Sequence, residues 1–192
     1  DLRVIDCTFT NNEAALTGPD TGGGAIYVLG TAHDIQISGS TFSGNRASNA
    51  GGLGMLFSGA LISNSLFIGN EAVGTGANSV DAAHCACAGN QVGSGGNGGG
   101  LYKDGGDGQD IVVCGSQFTQ NSAKEFGAAI FLTANGSAAH LVLYDTNVND
   151  NTNGHPYWQW CASISTDTTD TSPQPVSSSF CQSDGTCSSS CG

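Results

Sequence analysis

Apolar and polar residues alternate in short segments of this chain, and a fixed set of corner residues follows each segment. Residues 35–45, IQISGSTFSGN, show the pattern. Ile35 and Ile37 alternate with polar residues, small residues follow, Phe42 closes the apolar set, and Asn45 stands at the end. The pattern recurs at intervals of about 20 to 33 residues. The phenylalanine position is occupied in turn by Phe9, Phe42, Phe67, Cys87, Phe118 and Val148.

The spacing within each repeat predicts β-strands. Side chains that alternate with a period of two lie on opposite faces of a strand, whereas a helical face repeats every three to four residues. A unit of this length buries its apolar side only against neighbouring units, which is typical of a solenoid. We therefore predict an all-β fold, a parallel β-helix of about six coils stacked about 4.8 Å apart.

An asparagine ends every repeat. Because equivalent residues of stacked coils lie above one another, we expect the amides to form a hydrogen-bonded ladder along the axis. The predicted ladder contains Asn12, Asn45, Asn70, Asn90, Asn121 and Asn151.

Glycines followed by alternating apolar residues form a second repeated element. It occurs at residues 22–28, 51–57, 98–102 and 127–132, and it predicts a tight corner that leads into another strand. No such element separates the third repeat from the fourth, so we expect the fourth coil, around Cys87, to be abbreviated or distorted. The predicted β-helix covers residues 1–155, and residues 156–192 form an aromatic cap and a Cys/Ser-rich tail.

The charge narrows the choice of partners. A formal net charge of −12, with four Lys and Arg against sixteen Asp and Glu, disfavours nucleic acid, because phosphate binding needs clustered cations. The sequence contains no apolar run long enough to insert into a membrane. Eight cysteines, an even number, favour an oxidising extracellular or cell-surface location.

The cysteines are candidates for disulfide bonds. His84, Cys85 and Cys87 resemble a metal-binding cluster, but Cys85 and Cys87 occupy inward positions of the repeat. They are also interpreted as buried residues or as disulfide partners, for example of Cys114. Disulfides are expected to staple the C-terminal tail, which lacks the residues of a core. The disulfide candidates are Cys7, Cys85, Cys87, Cys114, Cys161, Cys181, Cys187 and Cys191.

Two loops carry further candidate sites. Asp104, Asp107 and Asp110 alternate with glycines and are weak calcium candidates, because calcium prefers carboxylate oxygens. They match neither an EF-hand nor a calcium-binding β-roll, so a solvated turn is the alternative and no cofactor is assigned. Asn135 begins the sequence Asn-Gly-Ser, an N-glycosylation acceptor.

Aromatic residues concentrate where the repeats stop. Tyr157, Trp158 and Trp160 either form a platform on which a sugar stacks or plug the end of the coil stack. At the other end, the first repeat begins at Leu2 without a polar cover. Because an open terminal coil invites another strand, we expect end-to-end self-association or neighbouring domains of a longer chain.

Two tetrapeptides carry a family resemblance. The GGAI at Gly23 to Ile26 and the FxxN sequences that begin at Phe9, Phe42, Phe67 and Phe118 resemble the repeats of chlamydial polymorphic outer membrane proteins. The chain is similar also to secreted right-handed parallel β-helix proteins of the pectin-lyase-like type. The resemblance covers roughly residues 2 to 153 and implies a right-handed β-helix and a secreted or surface-exposed stalk, adhesin or structural protein.

A polysaccharide-active enzyme, or a carbohydrate-binding module, is the competing interpretation. Many right-handed β-helices are lyases, hydrolases or epimerases, and such sites resemble one another in needing aspartate clusters, calcium or a base beside a cation. The only cations here are Arg3, Arg46, Lys103 and Lys124, and no line of aspartates faces them. We therefore expect a non-catalytic extracellular structural or adhesive protein. Its expected partners are an extracellular glycan or further copies of the chain.

Overall fold

The computed structural model describes residues 1–18, 21–30, 35–74, 95–105, 109–133, 139–153, 164–166 and 174–176. Its regular elements are short β-strands. The first three coils contain β1 (Leu2–Ile5), β2 (Thr8–Thr10), β3 (Ile26–Leu29), β4 (Ile35–Ser38), β5 (Thr41–Ser43), β6 (Arg46–Ala47), β7 (Leu53–Leu56), β8 (Ala60–Ser63), β9 (Leu66–Ile68), β10 (Glu71–Ala72) and β11 (Leu101–Asp104). The later coils contain β12 (Ile111–Cys114), β13 (Gln117–Thr119), β14 (Ser122–Ala123), β15 (Ile130–Thr133), β16 (Leu141–Tyr144), β17 (Asn147–Asn149), β18 (Thr152–Asn153), β19 (Ile164–Thr166) and β20 (Gln174–Val176).

Each coil contributes one strand to each of several parallel sheets. Sheet A has the order β1-β4-β8-β12-β16-β20, and sheet B has the order β2-β5-β9-β13-β17. Sheet C, the shortest in residues, is β6-β10-β14-β18, and sheet D is β3-β7-β11-β15-β19. All the strand pairs are parallel and in register, so equivalent residues form columns along the axis. The predicted parallel β-helix is confirmed.

The core lies inside the stack because strand alternation sends every second side chain inward. In sheet A the inward column runs through Val4, Ile37, Ile62, Val113 and Leu143, which are all buried. Its neighbours in sequence point outward and are partly exposed in β4 and β16. Burial of each such side chain contributes about 1.5–3 kcal/mol, so the stacked coils are held mainly by their shared apolar interior.

The corners between the sheets use left-handed backbone. Between sheets A and B the residues with positive φ are Asp6, Gly39, Asn64, Gly115 and Asp145. Between sheets B and C they are Asn11, Gly44, Gly69, Gln120 and Asp150. Gly, Asn and Asp adopt this conformation at least cost, which explains the composition of these two corners.

The fourth predicted repeat is not a coil between the third and the fifth, and this prediction is wrong. Strands β8, β9 and β10 pair directly with β12, β13 and β14. Phe67 and Phe118, aligned in this pairing, stack with ring centroids 4.5 Å apart, which leaves no room for a strand between them. The glycine element at residues 98–102 therefore belongs to the coil of Asn70, and residues 75–94, which lie outside the described residues, come between β10 and β11 in the sequence; we call residues 75–94 the insertion.

The number of coils is nevertheless about six, because strands from the C-terminal region join the stack. Strand β19 pairs with β15 in sheet D, and β20 pairs with β16 in sheet A. Both strands lie beyond residue 155, where the tail was predicted to begin. Strand β20, and not the repeat around Cys87, contributes the sixth strand of sheet A.

Candidate functional site

The asparagines of the repeat form a continuous hydrogen-bonded column at the corner between sheets B and C. Each of the first four side-chain amides donates through Nδ2 to the Oδ1 of the next asparagine, at 2.8 Å or 2.9 Å. From Asn45 onward, Nδ2 also donates to a carbonyl of the coil below, for example from Asn70 to Phe42 O at 2.9 Å. The column contains Asn12, Asn45, Asn70, Asn121 and Asn151.

Asn90 is not a rung between Asn70 and Asn121. Asn70 donates directly to Asn121 Oδ1, both from its backbone N at 3.0 Å and from Nδ2 at 2.9 Å. Asn90 itself lies outside the described residues. The column therefore has one member fewer than predicted over this part of the chain.

A second column, of hydroxyl groups, lies at the corner between sheets A and B. Ser40 Oγ accepts from Cys7 N at 3.1 Å, and Ser65 and Ser116 accept in the same way from the preceding coil. Each hydroxyl also donates to the carbonyl two residues earlier, at 2.8–2.9 Å for the serines. The sequence showed a small residue or cysteine at this position in every repeat. Small size alone does not indicate that the hydroxyl of this residue bonds to the backbone.

Cys7 occupies the first position of this hydroxyl column. Its thiol is exposed and free, and Sγ donates to Ile5 O at 3.2 Å, as the serine hydroxyls do in later coils. The prediction that Cys7 takes part in a disulfide is therefore wrong. Cys114, in contrast, is disulfide-bonded, and its partner is not among the described residues.

Aromatic rings form a third column within the core. Phe9, Phe42, Phe67 and Phe118 stack with centroid distances of 4.9, 4.5 and 4.5 Å. Val148 continues the column in the next coil. Offset or parallel ring stacking contributes about 0.5–1.5 kcal/mol per pair beyond the area buried.

Sheet C carries charged and polar side chains on its outer face. Arg46 lies between Glu13 and Glu71, with Nη1 3.0 Å from Glu13 Oε2 and Nε 2.9 Å from Glu71 Oε2. All three side chains are more than 40 % exposed, so each ion pair contributes at most about 1 kcal/mol. The column continues through Ser122 and Thr152.

A groove of about 290 Å³ lies over the later coils of sheet C. We call it the sheet C groove. Its lining includes a carboxylate, two hydroxyls and an ammonium group. The lining residues are Glu71, Ala72, Val73, Ser122, Ala123, Lys124 and Thr152.

Lys103 is buried at an inward position of β11. Its column neighbours are Met55 in β7 and Leu132 in β15, and the residue is 0 % exposed. Nζ donates to Ser58 O at 3.0 Å, so the long side chain carries its charge to the edge of the core. The alternation of β11 alone would have placed this side chain inside, but its charge argued for the surface.

The calcium candidates that the structure describes have protein partners. Asp104 Oδ2 accepts from the Tyr102 hydroxyl at 3.1 Å. Asp110 Oδ1 accepts from His140 N at 2.8 Å and lies 3.0 Å from His140 Nδ1. Within the described ranges, no group of three or more His, Cys, Asp or Glu side chains is arranged to hold a metal ion.

Several predicted residues lie outside the described part of the chain. They are Asp107, His84, Asn135, the aromatic residues Tyr157, Trp158 and Trp160, and the cysteines Cys85, Cys87, Cys161, Cys181, Cys187 and Cys191. The predictions for these residues stand as predictions.

Across the described ranges, no helix is long and apolar enough to span a lipid bilayer. Comparison with curated proteins and with solved structures gave no match. Residues 1–169 match the family model described as a right-handed beta helix region. The match covers most of the chain and includes β19, and the stacked parallel strands agree with it. The chain belongs to the right-handed β-helix family.

Proposed function

We propose that this chain is a non-catalytic extracellular β-helix with a structural or adhesive role. The observation that carries the proposal is that three side-chain columns run through successive coils without interruption. The amide column joins successive coils at the corner between sheets B and C, and the hydroxyl column joins them at the corner between sheets A and B. The phenylalanine stack joins them in the core. Such axial continuity stiffens a solenoid, which suits a stalk or spacer.

The cations support a structural rather than a catalytic use. An enzyme acting on acidic polysaccharide needs a cation that can neutralise a substrate carboxylate. Arg46 is held between two glutamates, and Lys103 is buried with Nζ on a backbone carbonyl. Two of the four cations of the chain are thereby committed to internal contacts.

The extracellular assignment is supported by Cys114 and by the repeat type. A disulfide at Cys114 is favoured in an oxidising compartment. The resemblance of the GGAI and FxxN tetrapeptides to polymorphic outer membrane protein repeats adds a preference for the cell surface. The net charge of −12 favours solubility outside the cell and disfavours nucleic acid partners.

For the structural role, we propose more specifically that copies of the chain assemble end to end. Sheets A, B and D each have a strand of the first coil at one edge, and Ile5 and Leu29 of that coil are 58 % and 68 % exposed. A further coil, from a second copy or from a neighbouring domain, would extend these sheets. At the opposite edge of sheet A, β20 contains Pro175, which has no N–H to donate. A head-to-tail contact would therefore rely on sheets B and D.

Electron microscopy and light scattering across a dilution series test the proposal. Regular fibres, or short rods that lengthen with concentration, are expected if the chain assembles end to end. A monomer at every concentration would reject assembly but not adhesion, which glycan binding then tests. Cleavage of a polysaccharide, with new reducing or unsaturated ends, would reject the non-catalytic role and favour the enzyme.

A further inference from the structure

The outer face of sheet A carries a disulfide bond. In β12, Ile111 and Val113 belong to the core, so Cys114, the next residue, belongs to the outward column of the sheet. Cys114 is disulfide-bonded to a cysteine outside the described residues. The bond therefore fastens another segment of the chain to the outside of the stack. The candidate partners are Cys85, Cys87, Cys161, Cys181, Cys187 and Cys191.

The outward column is exposed at its beginning and buried around Cys114. Ile5 in the first coil is 58 % exposed, whereas Ser63 and Cys114, which are aligned in register, are 0 % exposed. A side chain on the outer face of a sheet is buried only where another part of the chain lies over it. Oγ of Ser63 has no hydrogen-bond partner among the described residues, so a polar segment fits this position.

An aliphatic column lies beside the disulfide on the same face. Leu61, Val112 and Val142 are aligned on adjacent strands and are each half-buried. A segment bound at Cys114 has this column as an apolar surface to pack against, next to the polar group of Ser63.

Strand β20 brings the C-terminal segment close to Cys114. Val176 is aligned with Tyr144, and Tyr144 is aligned with Cys114. The Cα atoms of Val176 and Cys114 are therefore two strand spacings, or about 10 Å, apart. Cys181 follows Val176 by five residues, which reach up to about 17 Å. Since a disulfide joins Cα atoms about 5–6 Å apart, the chain reaches Cys114 by turning back over β16.

The cysteines before β20 are less well placed. Cys161 precedes β19 by three residues, which reach only about 10 Å, and any path outside the stack from β19 to Cys114 passes two whole sheets. The ends of the insertion meet at Ser48 O, just after sheet C. From there Cys85 and Cys87 must also pass two sheets, with eight to eleven residues almost fully extended.

We propose that Cys114 pairs with Cys181, so that residues 177–181 cross the outer face of sheet A and fasten β20 to the stack. Cys181 closes the shortest loop among the three cysteines of this segment. Both thiols lose a proton and an electron as the S–S bond forms, and the disulfide of an oxidoreductase accepts them and becomes a dithiol. The bond spans β12, β16 and β20, and it restricts the separation of the end strand from β16. This inference does not depend on the structural or adhesive role.

The few basic residues of the chain make the pairing directly testable. After free thiols are blocked with N-ethylmaleimide, the unreduced 192-residue chain is denatured and cut by trypsin after Arg3, Arg46, Lys103 and Lys124. Cys114 is then on residues 104–124, the cysteines of the insertion are on residues 47–103, and the last four cysteines are on residues 125–192. We expect mass spectrometry to find residues 104–124 linked to residues 125–192. A link to residues 47–103 would overturn the proposal.

A second protease identifies the cysteine. Cleavage before Asp170 and Asp184 releases residues 170–183, which contain Cys181 and no other cysteine. We expect this fragment to be the one linked to Cys114, and a link to any other fragment would reject the pairing.

Hydrogen exchange tests whether the bond fastens β20. Cys181→Ser should speed amide exchange in β20 by about tenfold or more and leave β8 unchanged. Cys7→Ser is the matched control, because the Cys7 thiol is free, and it should change neither the disulfide map nor the exchange. Unchanged exchange of β20 in a folded Cys181→Ser chain would show that the bond does not hold the strand.

Discussion

Asparagine is suited to the column because its amide both donates and accepts. Oδ1 of Asn70 accepts from the backbone N and from Nδ2 of Asn45, and Nδ2 of Asn70 donates to two further oxygens. Aspartate lacks the donor, and a stack of carboxylates at strand spacing would repel. The residue type follows from the need to satisfy buried polar groups in every coil.

The first prediction concerns this amide. Asn70→Ala removes the acceptor of the Asn45 backbone N–H and the side-chain donor to Phe42 O in a buried corner, and each such loss costs about 1–3 kcal/mol. We expect the free energy of unfolding to fall by at least about 3 kcal/mol, measured by urea denaturation. Asn12→Ala is the matched control, because Asn12 is exposed at the first rung, and it should cost about 1 kcal/mol. Equal losses in the two variants would show that column position is irrelevant.

The second prediction concerns Gln120, which has φ of 56° at a corner where other coils use Gly, Asn or Asp. A left-handed conformation costs a residue with a Cβ roughly 1–2 kcal/mol, and glycine avoids most of it. Gln120→Gly should therefore raise the free energy of unfolding by about 0.5–1 kcal/mol. Gln117→Gly, at an exposed strand position of the same coil, should lower it by a similar amount. A loss of stability in Gln120→Gly would mean that the side chain itself stabilises the corner.

The sequence predicts residues best where one physical rule acts alone. The asparagine column followed from periodicity, because a repeated amide at a corner has few other uses. Lys103 was missed because its strand position predicts burial and its charge predicts exposure, and the sequence does not show that Ser58 O accepts a hydrogen bond from Nζ. The hydroxyl column was missed because a small residue satisfies two rules, close packing and hydrogen bonding, and the sequence does not separate them.

At the scale of elements, the pairing of strands in stacked coils, and not the order of repeats along the chain, determines which strands are neighbours in a sheet. The repeat around Cys87 has the alternation of a strand, yet β9 pairs directly with β13. Phe67 and Phe118 stack across the insertion at an interplanar angle of 4°. Sequence pattern identifies every segment with the alternation of a strand, whereas the order of the sheets depends on which strands pair.

The third prediction follows from the ends of this insertion. The N–H groups of Gly74 and Gly96 both donate to Ser48 O, at 3.0 Å and 2.7 Å, so the two ends of the insertion lie close together. Replacing residues 75–94 with two glycines should preserve the β-sheet circular dichroism and cooperative unfolding. A deletion of residues 60–68 removes β8 and β9 but leaves β10 and β11, so the coil is incomplete and the deletion should abolish both.

The comparison is made in reducing buffer. The insertion contains Cys85 and Cys87, both candidate partners for Cys114, and loss of a disulfide would otherwise contribute to the result. An unfolded chain after replacement of residues 75–94 would mean that the insertion, and not only the stacked coils, supports the fold.

At the scale of the whole molecule, net charge and local ion pairs respond oppositely to salt. Sixteen acidic against four basic residues make the folded chain repel itself, while the pairs of Arg46 attract locally. Raising the ionic strength from 0.01 M to 0.15 M shortens the screening length from about 30 Å to about 8 Å. Repulsion between acidic side chains that are far apart is then screened. The ion pairs of Arg46, whose atoms are about 3 Å apart and half-exposed, lose only part of their modest contribution to stability.

We therefore expect the melting temperature to rise over this range of sodium chloride, by a few degrees for a net gain of about 1 kcal/mol. The measurement is a thermal scan by circular dichroism at several salt concentrations. Arg46→Gln is the matched variant: it removes the local attraction and one positive charge, so its melting temperature should rise more steeply with salt than that of the wild type. A melting temperature that falls with salt in the wild type would show that ion pairs outweigh the net charge in holding the coils together.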